Sequence, residues 1–366
     1  MFKNVAAYVV TEPQKHVEIR DAPYTKPAPN QLVIRNHAVG VNPIDWMLPM
    51  FGAFQHIKWP FVLGSDSAGE VVEIGTKVSR FKVGDRVVGQ AIGYDENINT
   101  SSQSSFQLYT VLLEDMTSHI PDQLPYEQAS VLPLGLGTAA TGLFQQDHLA
   151  LHLPSIEPTP KGKVVIIWGG STSVGANAIQ LAIAAGYEVF TTCSSRNFGF
   201  CKSLGATQCF DYKSPTVRAD ITRALTGKIV AGAMTIGDGG AEAIMDIFPH
   251  CQGDKAIAMV SFPKPPHTPQ RFVTAQTIFY FLKFIVITTL KARMRNIRWK
   301  FVNGSTLAFN SVGKAVYGDY LGQALEKGMY QCKPDAMVVG HGLEKVQEAL
   351  DVQRKGVSAR KVVFTL

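Results

Sequence analysis

The chain has 366 residues, of which 46% are hydrophobic and 17% charged, and it carries a net charge of +6. That length exceeds what a single core fills, so two domains are expected, and the apolar share excludes a disordered chain or a small disulfide-stapled scaffold. No apolar run reaches the roughly 18 residues of a membrane span; the longest, residues 278–290, is broken by Lys283. Five cysteines, none in a C-x-x-C pair, read as reduced thiols, and the first residues show no signal core, so a cytoplasmic protein is expected. The eight-residue spacing of Cys193, Cys201 and Cys209 fits no metal site. The basic stretch at residues 291–300 has no zinc-finger, RNP or helix-turn-helix signature beside it, so nucleic acid is not expected as a partner.

In chain order, β-branched and aromatic residues broken by Gly and Pro predict strands at residues 5–11, 31–41, 68–75, 86–91 and 106–113. Together they imply an antiparallel β domain, with a polar loop at residues 97–105. A helix is predicted at residues 143–149 with its approach from about residue 136, and a Pro-rich connector at 154–160. Strands at 164–168, 188–192, 208–210, 229–236 and 256–261 then alternate with helices at 174–185, 197–204, 217–225 and 241–248. That alternation implies a parallel sheet covered by helices on both faces. The tail adds helices at 316–327 and 343–354 and strands at 337–339 and 361–366, and is expected to return to the first domain. The expected domains are therefore residues 1–132 with 308–366, and residues 133–307.

The most informative stretch runs Val164-Val165-Ile166-Ile167-Trp168-Gly169-Gly170-Ser171-Thr172-Ser173-Val174-Gly175. A buried strand ends in a glycine- and serine-rich turn that opens a helix, where unsatisfied N–H groups can hold a pyrophosphate. The spacing is not G-x-G-x-x-G, and a plain strand-to-helix turn capped by Ser would look similar. The next strand ends in Cys193-Ser194-Ser195-Arg196-Asn197 with no acid to accept from a ribose. Hydroxyls and a guanidinium suit a 2′-phosphate, which favours NADPH, although a helix cap with a surface Arg would read the same way.

Residues 278–287, Ile-Phe-Tyr-Phe-Leu-Lys-Phe-Ile-Val-Ile, are too apolar for an ordinary surface helix. They follow a Pro-rich connector at 263–269 and precede the basic stretch. Three roles are open: a cover over the substrate cleft, a dimer contact, or a helix lying on a membrane. The cover is favoured, with Phe281 and Phe284 shaping an apolar pocket, and membrane contact is expected least.

The motifs together resemble the medium-chain dehydrogenase/reductase superfamily in its zinc-independent branch, near fungal trans-acting enoyl reductases and quinone oxidoreductase-like enzymes. The resemblance covers essentially the full length. It rests on Asn42-Pro43-Ile44-Asp45, on the segment from Pro60 to Gly69, on Val83-Gly84-Asp85-Arg86-Val87, on Leu132-Pro133-Leu134-Gly135, on Trp168-Gly169-Gly170-Ser171-Thr172 and on Phe210-Asp211-Tyr212. It implies an α/β chain with a GroES-like, β-rich catalytic domain and a doubly wound Rossmann cofactor domain. Zinc-dependent relatives have an early Cys and a Gly-His-Glu element where this chain has Asn42 and Gly64-Ser65-Asp66, so no metal is expected. Some of the fungal enoyl reductases carry a Lys two residues after the N-P-x-D aspartate, where this chain has Met47.

By the same resemblance Pro43, Ile44, Asp45 and Trp46 flank the nicotinamide, with Val260, Ser261, Val362 and Val363. Gly169, Gly170, Ser171, Thr172, Ser173 and Val174 hold the pyrophosphate; Ser194, Ser195, Arg196, Asn197 and Tyr212 hold the adenosine end. Pro133, Leu134, Gly135, Leu136, Gly137, Thr138, Ala139 and Ala140 line the substrate pocket, with the Thr138 hydroxyl a catalytic donor to the carbonyl oxygen. Simpler roles stand beside these: Asp45 as a helix cap, Tyr212 as a strand end, Thr138 as a helix-start residue. The implied activity is NADPH-dependent reduction of a C=C bond conjugated to a carbonyl on an apolar small molecule. A zinc-free quinone or carbonyl reductase, and an NADPH-binding protein with little turnover, remain open beside it. A polyketide synthase partner, and a monomer or homodimer pairing through an edge strand at residues 296–303, are also open.

Overall fold

The computed structural model describes residues 2–10, 17–51, 56–261 and 273–366; residue 11 and the Pro-rich connector at 263–269 lie outside the described residues. The chain divides into two compact units, Met1–Gly137 with Ser305–Leu366, and Thr138–Gly304.

The first unit is β-rich. Asn4–Val9 pairs antiparallel with Val17–Ala22 on one side and Phe61–Val62 on the other. A larger sheet runs in the order Asp335–His341, Arg360–Thr365, Gln31–Gly40, Asp66–Ile74, Arg86–Gln90, Thr117–His119, and Tyr109–Leu113 also pairs with Gln31–Gly40. All its pairs are antiparallel except Asp335–His341 with Arg360–Thr365, which run parallel because the helix Val346–Lys355 crosses between them. The core gathers Val39, Leu63, Phe106, Val346, Leu350 and Phe364.

The second unit is a parallel sheet in the order Gln208–Asp211, Glu188–Cys193, Lys163–Trp168, Ile229–Thr235, Ala256–Met259, Arg298–Phe301. That is strand order 3-2-1-4-5-6, with the order reversing at Lys163–Trp168, the place where doubly wound folds bind ligands. Val164 to Ile167 are almost wholly buried because helices cover both faces of the strand. The helix Ser173–Ala184 starts where Thr172, in extended conformation, accepts from the Gly175 N–H. It stops at Gly186, whose φ of +87° is open to glycine without penalty.

Several expected boundaries move. The helix expected at 143–149 is the end of Pro133–Phe144, since Pro133 supplies the helix start and the chain turns at Gln145 to Leu149. The strand expected from residue 106 begins at Tyr109, Phe106 being spent on the core. The helix expected at 316–327 opens as a π-helical stretch, Lys314–Leu321, before Gly322–Glu326.

Candidate functional site

In the second unit the turn after Lys163–Trp168 is built on three glycines. Gly169 has φ +94°, and a Cβ there would stand 2.5 Å from the Ile236 carbonyl oxygen. A Cβ on Gly175 would stand 2.2 Å from the Gly169 oxygen, so only glycine lets the helix approach its own strand. Thr172 Oγ1 donates to the Gly169 carbonyl (2.8 Å) and accepts from the Gly175 N–H (3.0 Å). Ser173 opens the helix with its Oγ buried and without a hydrogen-bond partner. A first helical turn has free N–H groups by construction, and an orphaned hydroxyl beside them suits an anionic ligand. The turn fits a dinucleotide pyrophosphate on that chemistry.

Next to it, Ser194 precedes the short helical turn Ser195–Asn197 without a side-chain capping bond, and Ser195 and Arg196 are exposed. The acid nearest in register is Asp211, opposite Cys193 on the neighbouring strand, and its carboxylate accepts from the Lys213 N–H (2.9 Å). Tyr212 is 47% exposed just beyond that strand. Cys193 and Cys201 are buried and Cys209 is half-buried where the helix Phe198–Ser203 meets the two strands, and Cys209 Sγ donates to the Phe198 carbonyl (3.8 Å). On the other side of the switch point, Val260 donates its N–H to Thr235 (2.9 Å) and Ser261 Oγ accepts from the Gly237 N–H (2.8 Å).

Thr138 is the sixth residue of Pro133–Phe144, so it is not a helix-start residue; it is 7% exposed, and a Cβ on Gly304 would stand 2.8 Å from its Oγ1. Phe281 and Phe284, on the helix Val273–Met294, turn toward the sheet edge, with ring centroids 5.9 and 6.5 Å from Phe301.

The first unit brings three sequence-distant segments to one buried ion pair that sequence reasoning missed. Lys361 Nζ lies 2.7 Å from Asp66 Oδ2, the two side chains being 4% and 0% exposed. Lys361 also donates to Asn42 Oδ1, and Asn42 Nδ2 donates to Asp66 Oδ2 (2.9 Å). Asp66 Oδ1 accepts from the Leu134 N–H (2.6 Å). Gly40 makes room, since a Cβ there would stand 2.8 Å from Asp66 Oδ2 and 3.0 Å from Lys361 Cε. One carboxylate thus ties together the segment before Pro43, the first turn of Pro133–Phe144, and the strand that carries Val362 and Val363. The only sequence signal was negative: Asn42 and Asp66 stand where zinc-dependent relatives have ligands.

Asp45 lies beside this pair, fully buried, with Oδ2 accepting from the Asn42 N–H (2.7 Å). It is the third residue of Pro43–Phe51 reaching back to the residue before the helix, half of a capping box. Burial, reinforced by the Asp66 carboxylate, pushes its carboxyl up to about 7 against the pull of the Asn42 N–H and Lys361. Trp46 is half-buried and donates its indole N–H to Gln353 of Val346–Lys355. Val362 and Val363 are fully buried. Tyr317 donates to the Pro133 carbonyl and to Gln90 Oε1 (3.1 Å), and burial holds its phenol well above the ordinary value. Among the described residues no group of three or more His, Cys, Asp or Glu side chains is arranged to hold a metal ion.

Residues 28–122 match the alcohol dehydrogenase GroES-like domain. The chain is 50% identical to the dehydrogenase pigH of Monascus ruber over 366 residues, covering 99% of each chain. It is 35% identical to the trans-enoyl reductase himH of Aspergillus japonicus over 339 residues, 92% of this chain and 90% of that one. Among solved structures, a mycobacterial protein complexed with NADPH superposes with a TM-score of 0.68 at 20% identity, covering 99% of this chain and 100% of that one.

Proposed function

Because the chain belongs to the medium-chain dehydrogenase/reductase superfamily of oxidoreductases, we propose that it is an NADPH-dependent reductase of a C=C bond conjugated to a carbonyl, working in fungal secondary metabolism. The observation that carries the cofactor half is the Gly169–Gly175 cradle with its orphaned Ser173 hydroxyl. The kinship to a trans-enoyl reductase over 92% of the chain supports the substrate half.

In this reading Gly169, Gly170, Ser171, Thr172, Ser173 and Val174 hold the pyrophosphate, and Ser194, Ser195, Arg196, Asn197 and Tyr212 the phosphorylated adenosine end. Pro43, Ile44, Trp46, Val260 and Ser261 are assigned to the nicotinamide half, with the buried Asp45, Val362 and Val363 contributing backbone only. When bound, the dihydronicotinamide supplies the hydride. The Thr138 hydroxyl is proposed to stabilise developing charge on the carbonyl oxygen as a preorganised donor. Phe281 and Phe284 are assigned an indirect part: they brace Phe301, three residues before the Gly304 backbone that packs on Thr138. Asp66 and Lys361 act as positioning residues by fixing the segments that carry the other candidates. Protonation of the α-carbon is assigned to water, because the acid that holds a proton near neutrality, Asp45, is sealed inside its unit.

Purified protein tested with NADPH on an enone, an enoyl thioester and a quinone is expected to return the saturated carbonyl product. Met47, in place of the lysine of some enoyl reductases, favours the quinone or carbonyl reductase reading, and exclusive reduction of the quinone would establish it. For the cofactor, Arg196→Ala should lower kcat/KM with NADPH by about tenfold or more and leave NADH nearly unchanged. Equal use of the two cofactors by the unmutated protein would overturn NADPH preference.

A further inference from the structure

The helix Val273–Met294 is the crossover between the parallel strands Ala256–Met259 and Arg298–Phe301. Its sheet-facing side is accounted for: Thr288 and Ala292 are buried, and Phe281 and Phe284 lie on Phe301. The outward side of such a helix is ordinarily polar. Here it carries Phe279, Leu282, Val286, Leu290 and Met294, spaced three and then four residues apart, and all are more than half exposed; Phe279 and Met294 reach 70% and 86%. At 100° per residue these five form one stripe opposite the sheet. A stripe of that size on a surface marks a docking site.

Charge identifies the occupant. From residue 273 to residue 303 the sequence holds six lysines and arginines and no aspartate or glutamate. Arg295, Arg298 and Lys300 form ion pairs with Asp246, Asp254 and Asp147 of the same unit. Lys283, Lys291 and Arg293 are exposed on the helix itself, Lys283 and Arg293 inside the stripe and Lys291 on its flank. A second copy laid face to face would set these cations against themselves with no acid on the helix to answer them, which opposes pairing. A sheet of phosphate headgroups over hydrocarbon answers both properties at once.

We propose that the outward face of Val273–Met294 docks on an anionic lipid membrane, the stripe entering the headgroup boundary and Lys283, Lys291 and Arg293 meeting phosphates. Among the described residues no helix is long and apolar enough to cross it. On this proposal the segment takes the role that its sequence favours least. This proposal is independent of the substrate assigned above.

The test is co-sedimentation of the full-length protein with vesicles of phosphatidylcholine, alone or mixed with phosphatidylserine, with mass followed by light scattering. Binding is expected on the mixed vesicles only, weakening as sodium chloride is raised. Lys283→Glu with Lys291→Glu, and separately Leu282→Ser with Val286→Ser, should each reduce it by at least about tenfold. All four residues are exposed, and circular dichroism checks that the variants fold; the salt titration of the unmutated protein tests the charge term without any variant. Equal or absent binding on the two vesicle types would overturn the proposal. So would a dimer of the unmutated protein that the serine variant converts to monomer, which would assign the stripe to a second copy.

Discussion

Asp45 and Lys361 show how single buried groups set measurable behaviour. The Asp45 carboxyl, pushed up to about 7 chiefly by burial, holds a proton in the folded state that the unfolded chain releases near its ordinary value of 3.8. The folded-state value is the higher one, so this stability is complete below about pH 4 and is lost as pH rises through about 7, the loss amounting to about 4 kcal/mol in alkaline solution. Asp45→Asn keeps an oxygen for the Asn42 N–H and removes the titration. Urea midpoints at about pH 5 and about pH 8 should therefore fall in the unmutated protein and fall less in the variant. Parallel changes would mean that Asp45 is not the titrating group. For the ion pair, Lys361→Met leaves the Asp66 charge buried without its cation and should cost about 3–5 kcal/mol. Adding Asp66→Asn, which can still accept from the Leu134 N–H, should recover at least about half of that loss, because the pair is retained for arrangement rather than net stability. A double variant as unstable as the single one would contradict this.

At the scale of elements, the strand Lys163–Trp168, its glycine turn and the helix Ser173–Ala184 could be read from the sequence because each follows from local chemistry: an apolar run, residues that permit the turn, and a threonine cap. The strand Val17–Ala22 could not, since it is a sheet edge with Glu18, Ile19, Arg20 and Asp21 all exposed and no alternating pattern to find. The Asp66–Lys361–Asn42 network was equally hidden, because its hydrogen-bonded members lie up to 319 residues apart and only the sheet order brings them together. Phe281 and Phe284 were singled out for their size, but which side of the helix they occupy depends on Phe301 across the fold. The turn itself gives a paired test. Gly175→Ala places a Cβ 2.2 Å from a backbone oxygen that no rotamer change can move, so it should lower the thermal midpoint and weaken NADPH binding by at least about tenfold. Gly199→Ala, in the helix Phe198–Ser203 with open space around it, should instead gain about 0.5–1 kcal/mol and leave binding unchanged. Comparable losses in both variants would show that close approach at the cradle is not what sets Gly175 apart.

For the whole molecule, the decisive fact is that the two units differ in how the chain builds them. The second is one continuous stretch, with a seven-stranded parallel sheet and a core of its own around Ile166, Phe190, Ile244 and Phe248. The first is assembled from two pieces, and its later piece is central to it: Arg360–Thr365 lies between Asp335–His341 and Gln31–Gly40, while Val346 and Leu350 fill the same core as Val39 and Phe106. An N-terminal piece alone therefore has an uncovered strand and an incomplete core, a combination that leaves conformational entropy unopposed. The boundary also falls inside the helix Pro133–Phe144, so a clean cut belongs before Pro133 and not at residue 138. A fragment of residues 133–304 is expected to unfold cooperatively in urea and to be stabilised by NADPH, since every pyrophosphate candidate lies within it. A fragment of residues 1–132 is expected to show no cooperative transition until a second fragment of residues 305–366 is added, when strand signal by circular dichroism should rise. Cooperative unfolding of residues 1–132 alone would mean that the returning tail decorates the β-rich unit, and that Lys361 cannot be the anchor that holds its candidate site together.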